Sequence, residues 1–229
     1  MNDRTIGRAG FLGLLGAGAL GLFFAKDFTG VLDRAVPKSV SAIVPTGGWR
    51  IYTVGASMPK FDPATYRLRV DGLVGSPASY SLADLKAMPR AEQVSDFHCV
   101  TGWSVTGVRW AGVRIADLLE RAGATSGVGA LRFVSAEKPY EDSLTLEQAL
   151  LPDVMLAYEM DGGPISRPHG APVRLVMPEM YGYKSVKWVS RIEARRDVQT
   201  GYWERHGYDS DAWVGKSNSL RRQAAFPTG

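Results

Sequence analysis

The sequence predicts an α+β fold built on a mixed β-sheet. Three observations carry this. Short runs that are apolar or alternate with period two recur between Tyr66 and Ile192. Short helix signatures fall among them without the regular strand–helix alternation of a parallel sheet. The 229 residues contain no internal repeat and no low-complexity segment, which excludes a solenoid or an array.

Residues 31–48, with Pro37, Pro45 and small polar side chains, read as a linker into a domain over residues 49–229. Tyr66 to Asp71 alternates and stops at Gly72, a half-exposed strand. Ser81 followed by Asp84 has capping-box spacing and opens a short helix that ends before Pro89. Glu92 to Phe97 alternates again. Ile115, Leu118, Leu119 and Ala122 share one helical face, and Gly123 supplies the stop. Leu131 to Ala136 reads as a strand, and Thr145 with Gln148 caps another short helix ending near Pro152. Val154 to Met160, the turn Asp161-Gly162-Gly163 and Pro164-Ile165 suggest a hairpin. Val173 to Met177 and Val186 to Ile192 are two further apolar strands, and the tail after Thr200 has no clear period.

Composition is that of a globular protein, 45% hydrophobic and 22% charged. The net charge of +4 comes from scattered basic residues, so no nucleic-acid partner is implied. One cysteine cannot form an internal disulfide. Residues 1–30 differ from the rest. Arg4 and Arg8 precede the uncharged run Ala9 to Ala25, which Lys26 and Asp27 close. That is the layout of an export signal or an N-terminal membrane anchor, and no clear cleavage site decides between them. Arg8-Ala9-Gly10-Phe11-Leu12 resembles a twin-arginine signal with Ala9 in place of the second arginine. The expected location is periplasmic or otherwise extracytoplasmic.

The stretch Asp96-Phe97-His98-Cys99-Val100-Thr101-Gly102-Trp103 holds the only cysteine. It reads as a strand that delivers a thiol into a loop, where a thiolate would suit a soft or thiophilic metal. A lone cysteine also serves as a small core hydrophobe, so the stretch alone does not choose. Arg174, Lys184 and Lys187 lie close to glycine-bearing loops, with His169 nearby. Cations and exposed backbone N–H groups in such a setting suit a phosphate-bearing ligand.

Three segments together resemble the molybdopterin domain of the sulfite oxidase family: Phe97 to Ser104 with Trp110 to Val113; Leu156 to Pro164; and His169 to Pro178 running on through Tyr181 to Trp188. The likeness extends roughly from Trp49 to Arg205. It implies a molybdenum–molybdopterin cofactor with Cys99 as the metal ligand. It further implies that Tyr52, Thr53, Ser135, His169, Arg174, Ser185, Val186 and Lys187 hold the pterin and its phosphate, and that Tyr158 is a catalytic tyrosine. The expected activity is oxygen-atom transfer to or from a small molecule. Because one molybdenum centre stores only an electron pair, a separate redox partner is expected, a haem or another carrier, in the membrane or outside it.

Sulfite oxidases place an arginine pair soon after the cysteine. Here Thr101, Gly102 and Trp103 stand there, closer to bacterial periplasmic methionine-sulfoxide reductase catalytic subunits, which lack the tyrosine found as Tyr158. Reduction of an S-oxide or N-oxide is therefore the leading expectation. Oxidation of a sulfur oxyanion is the second, and a cofactor-free binding module on the same fold is the third.

Overall fold

The computed structural model describes residues 48–217. The signal or anchor expected over residues 1–30, and the linker up to residue 47, lie outside the described residues. Among the described residues, no helix is long and apolar enough to cross a membrane.

Among the described residues, ten strands form two five-stranded sheets, with short helices on their connections. In chain order the elements are β1 (Leu68–Gly72), β2 (Ala78–Tyr80), α1 (Leu82–Lys86), β3 (Ala91–His98), β4 (Ser104–Arg114), α2 (Ile115–Ala122), β5 (Ala130–Ser135) and β6 (Glu141–Thr145). There follow α3 (Leu146–Ala149), β7 (Met155–Met160), β8 (Gly163–Pro164), a 3-10 turn at Arg167–His169, β9 (Arg174–Val176), β10 (Val189–Arg195) and α4 (Tyr202–Arg205). The first sheet runs β2-β1-β10-β5-β6, with β1 and β10 parallel and its other pairs antiparallel. The second runs β3-β4-β7-β8, with β9 also paired to β7, and is antiparallel throughout. The expected α+β fold with a mixed sheet is borne out by the first sheet, and an antiparallel second sheet accompanies it.

Local chemistry explains most boundaries. Ser81 and Asp84 close a reciprocal capping box on α1, and Thr145 and Gln148 do the same on α3. In α2 the expected stripe is buried, and Gly123 ends the helix in the left-handed region. Strand β10 begins three residues later than its apolar run. Trp188 is held at φ 52°, its indole N–H donating to Arg167 O at 2.8 Å, so Val186 and Lys187 remain in a loop.

Two apolar clusters lie on opposite faces of the second sheet, because successive side chains of a strand alternate. Leu156 and Tyr158 of β7 and Leu175 of β9 join the large core shared with Leu68, Leu131, Phe133 and Ile192. Met155, Ala157 and Val176 face the other way, with Trp49, Val108, Trp110, Ile165 and Ala171. Each large side chain removed from water contributes about 1.5–3 kcal/mol. The smaller cluster is the floor of the site.

Candidate functional site

Strands β3 and β4 are one hairpin, with Phe97 opposite Val105 and His98 opposite Ser104. Its tip carries the cysteine. Cys99 N donates to Trp103 O at 2.9 Å, and Gly102 N donates to Cys99 O at 3.0 Å. This closes a three-residue loop in which Gly102 sits at φ 93°, a conformation that glycine adopts without steric cost. His98 Nδ1 and Ser104 Oγ lie 2.8 Å apart and tie the hairpin end together. The Cys99 thiol is half-buried, with its Sγ 3.1 Å from Thr101 Oγ1.

A basic cluster forms where the 3-10 turn, β9 and the loop before β10 converge. The buried Arg174 guanidinium donates to His169 O at 3.0 Å and to Ser185 O at 3.3 Å. Lys187 Nζ donates to Tyr52 O at 2.7 Å and reaches Pro168 O at 3.5 Å. Ser135 Oγ donates to Lys187 O at 2.8 Å and accepts from Glu137 N at 3.0 Å. Ser185 Oγ accepts from Met177 N at 3.0 Å, and Val186 is fully buried beneath the loop.

Aromatic rings connect the cysteine loop to this cluster. Phe97 and Trp103, on either side of Cys99, lie 5.7 Å apart between ring centroids. Trp49 meets Phe97 at 4.8 Å, Trp103 at 6.1 Å and His169 at 4.9 Å. Tyr52 meets Trp103 at 6.4 Å, and the Arg174 guanidinium lies 5.5 Å from the Phe97 ring.

Of the residues expected from sequence, Tyr52, Ser135, His169, Arg174, Ser185, Val186 and Lys187 share one hydrogen-bonded neighbourhood, and ring contacts lead from it to the Cys99 loop. Thr53, half-buried, directly follows Tyr52.

Tyr158 is not among them. It faces the large core with 3% of its surface exposed, and Lys86 and Arg90 lie over its ring at 5.6 and 5.9 Å. The expectation of a catalytic role for Tyr158 is corrected on that ground: strand alternation turns it to the far side of the sheet from Phe97 and Arg174. The segment Tyr181-Gly182-Tyr183 meets the cysteine hairpin through its main chain, while the Tyr183 ring lies in the large core and Tyr181 packs against it. There Gly182 N donates to His98 O at 2.8 Å, and a side chain at 182 would collide with the Phe97 ring.

Lys184 is also corrected. Its buried ammonium pairs with Asp142 at 2.7 Å and Glu204 at 2.5 Å, so it pins α4 to β6 and does not face a ligand. Burial works against this charge, but the two carboxylates outweigh it and hold the lysine above its ordinary value.

Two contributors escaped the sequence reading. Trp49 was visible in its motif without a role. Glu137, almost fully buried, accepts from Val54 N at 2.8 Å and Gly55 N at 3.1 Å, fixing the loop that presents Tyr52. Nothing local in the sequence marks that long-range bond.

Electrostatically the cluster is set for an anion. Among the described residues, neither Arg174 nor Lys187 has a carboxylate within ion-pair distance. Desolvation and then Arg174 push the Lys187 ammonium well down, and desolvation pushes Arg174 down to about 10. His169 is pushed down to about 4 by burial, then by Arg174 and Lys187. Its Nδ1 and the Trp103 indole nitrogen are buried without a hydrogen-bond partner among the described residues. Mutually repelling cations beside orphaned ring nitrogens fit a ligand with a phosphate and a polar ring.

Residues 55–203 match the family described as oxidoreductase molybdopterin binding domain. The chain is 40% identical over 154 residues to "Uncharacterized oxidoreductase YuiH" of Bacillus subtilis, spanning 66% of this chain and 77% of that protein. It is 35% identical over 156 residues to "Putative protein-methionine-sulfoxide reductase subunit YedZ1" of Azospira oryzae, spanning 68% and 58%. With "Sulfite oxidase" of Arabidopsis thaliana the identity is 31% over 202 residues, spanning 71% and 51%. The match thus covers little more than half the length of these last two proteins. Among solved structures, the sulfane dehydrogenase SoxCD of Paracoccus pantotrophus superposes with a TM-score of 0.59 at 26% identity, spanning 62% of this chain and 41% of that one.

Proposed function

Because the chain belongs to the oxidoreductase molybdopterin binding domain family, a family of molybdenum–molybdopterin enzymes, we propose that it reduces a neutral S-oxide or N-oxide with electrons from a separate redox partner. When bound, the molybdenum–molybdopterin cofactor supplies two-electron oxygen-atom-transfer chemistry. The chain's residues fit that cofactor. Cys99 offers one soft thiolate at a loop tip. Arg174 and Lys187 would bind the phosphate, and the His169 ring and the Tyr52–Thr53 loop would border the pterin. Ser135 and Arg174 hold the loop that precedes β10, bonding Lys187 O and Ser185 O, and Val186 is buried within it.

The observation that carries the substrate class is the absence of a cation on the cysteine loop. Val100, Thr101, Gly102 and Trp103 follow Cys99. Arg205, the more distant candidate, donates to Thr200 O at 2.6 Å and reaches Glu141 at 3.5 Å. Arg109 alternates with Val108 and Trp110, whose side chains fill the floor of the site, so it projects from the opposite face of the sheet. A sulfur oxyanion would enter without a paired charge, whereas Trp49, Tyr52, Phe97 and Trp103 suit a neutral, partly apolar molecule. Retention of Cys99, Arg174 and Lys187 in one neighbourhood speaks against a cofactor-free binding module.

For location, Arg4, Arg8 and the uncharged run Ala9 to Ala25 support export or membrane anchoring. Fractionation tests this: recovery of the native protein wholly in the cytosol would refute it. Function is tested by metal analysis of the purified protein, followed by turnover of methyl sulfoxides and amine N-oxides with a reduced viologen donor. Stoichiometric molybdenum with sulfoxide or N-oxide turnover is expected. Rapid sulfite oxidation without either activity would overturn the assigned direction.

A further inference from the structure

We propose that the Thr101 hydroxyl tunes the donor strength of the Cys99 sulfur, and through it the reduction potential of the bound metal. This rests on Cys99 being the metal ligand, as read above. Sγ and Oγ1 are 3.1 Å apart. A ligating thiolate has no proton, so Thr101 is the only member of the pair able to donate. The geometry belongs to the hairpin. The bonds from Cys99 N to Trp103 O and from Gly102 N to Cys99 O fix the loop on both sides of Thr101. The third residue of that turn then lies back over the first. Among the described residues, Cys99 is the hydroxyl's sole hydrogen-bond partner, and Val100 and Gly102 carry no side-chain donor.

A hydrogen bond to a ligating sulfur draws electron density away from the metal and stabilises the sulfur lone pair. Two consequences follow for a donor-free residue at 101. The metal becomes richer in electrons and harder to reduce, so the potential falls. The filled sulfur orbital rises, so the sulfur-to-metal charge-transfer absorption moves to longer wavelength. In an enzyme working in the reducing direction, the threonine therefore widens the range of donors able to charge the centre.

The test compares the holoenzyme with Thr101→Val, which keeps the branched shape, Thr101→Ala as a second donor-free variant, and Thr101→Ser, which keeps the hydroxyl. The midpoint potential and the charge-transfer band are read at equal molybdenum content, beside the unfolding midpoint. Val and Ala should both lower the potential, changing the reduction equilibrium tenfold or more, about 30 mV for a two-electron couple. Both should redshift the band, while Ser stays at the wild-type values. Potential and band unchanged in Val and Ala, with Cys99→Ser altering the band, would overturn the role of Thr101 alone. A band unchanged in Cys99→Ser would overturn the ligand assignment and this inference with it.

Discussion

Lys187 and Tyr52, 135 residues apart in sequence, are joined by a 2.7 Å hydrogen bond from the lysine ammonium to the tyrosine main-chain oxygen. The bond draws the segment entering the domain onto the loop that precedes β10. Glu137 secures the same segment from its other side through Val54 N and Gly55 N. The walls of the site are thus closed by two charged side chains, one of which also serves as a candidate phosphate ligand.

Lys187→Met should therefore weaken cofactor retention in two ways, by removing a cation and by releasing the Tyr52 loop. A charge-assisted hydrogen bond contributes about 1.5–3 kcal/mol, so a loss of roughly tenfold to a hundredfold in affinity is expected. Molybdenum per protein after purification, with pterin fluorescence as a second measure, checks this. The double variant Lys187→Met with Arg174→Ala should be largely cofactor-free; full loading would place the phosphate elsewhere.

His169 predicts a pH dependence of the cofactor-free protein. Its folded pKa is pushed down to about 4, below the ordinary value of 6.5, by burial and then by Arg174 and Lys187. Above 6.5 the ring is neutral in both folded and unfolded chains and contributes no slope. As pH falls from 6.5 towards 4, the unfolded chain takes up a proton that the folded one refuses, so stability is lost across that window. Thermal unfolding of the apoprotein should show this loss, and His169→Gln should flatten it. Bound phosphate would favour the protonated ring, so the holoprotein should lose less. An identical slope in His169→Gln would show that the ring is not the group responsible.

The buried triad of Lys184, Asp142 and Glu204 makes a separate claim about stability. Removing one partner from a buried ion pair typically costs about 3–5 kcal/mol, because the other charge is left without compensation. Lys184→Met leaves two buried carboxylates. Its deficit should be largest at pH 8 and shrink towards pH 5, where Asp142, pushed up to about 7 by burial, takes up a proton. Urea unfolding at the two pH values measures it. A deficit under about 0.5 kcal/mol at pH 8 would mean that the triad contributes little to the fold.

The same triad shows where the sequence was legible and where it was not. Capping boxes at Ser81 and Thr145, the stripe of α2 and the turn after β7 are local signals, and each lies where its spacing put it. Strand β6, Glu-Asp-Ser-Leu-Thr, has no apolar pattern because Asp142 is buried for its pairing with a lysine 42 residues away. Strand β4 was missed because Gly107 interrupts its alternation near an irregularity in its pairing with β3, where its N–H donates to Asp96 Oδ1 at 2.9 Å. Within the candidate site, the motif around His169 to Lys187 names residues that the fold brings together. Side-chain direction was the part not legible: Lys184 and Lys187 stand three residues apart, yet one is locked in the core and the other lines the site. Tyr158 failed for a similar reason, since the face of a strand is decided by register and bulges, here the shift that leaves Tyr158 unpaired between Ala157, opposite Gly112, and Glu159, opposite Ala111.

Trp103 gives the sharpest test of the substrate class. Its ring borders the cysteine loop, facing Trp49, Tyr52 and Phe97, and no cationic side chain follows Cys99 in that loop. If the substrate is a neutral sulfoxide or N-oxide with an apolar body, the ring supplies contact area that is felt on binding. An indole buried against a ligand contributes enough that its loss should raise KM at least tenfold, about 1.4 kcal/mol. Trp103→Ala should therefore raise KM for an aryl methyl sulfoxide more than for dimethyl sulfoxide, with a smaller change in kcat. Molybdenum content and the charge-transfer band, measured together, separate substrate binding from cofactor loss. A sulfur oxyanion gains nothing from that ring and would instead benefit from an added cation, so Thr101→Arg should improve any weak sulfite oxidation while lowering sulfoxide turnover. Equal KM for the two sulfoxides in wild type and Trp103→Ala, at full molybdenum content, would remove the aromatic wall from the substrate site.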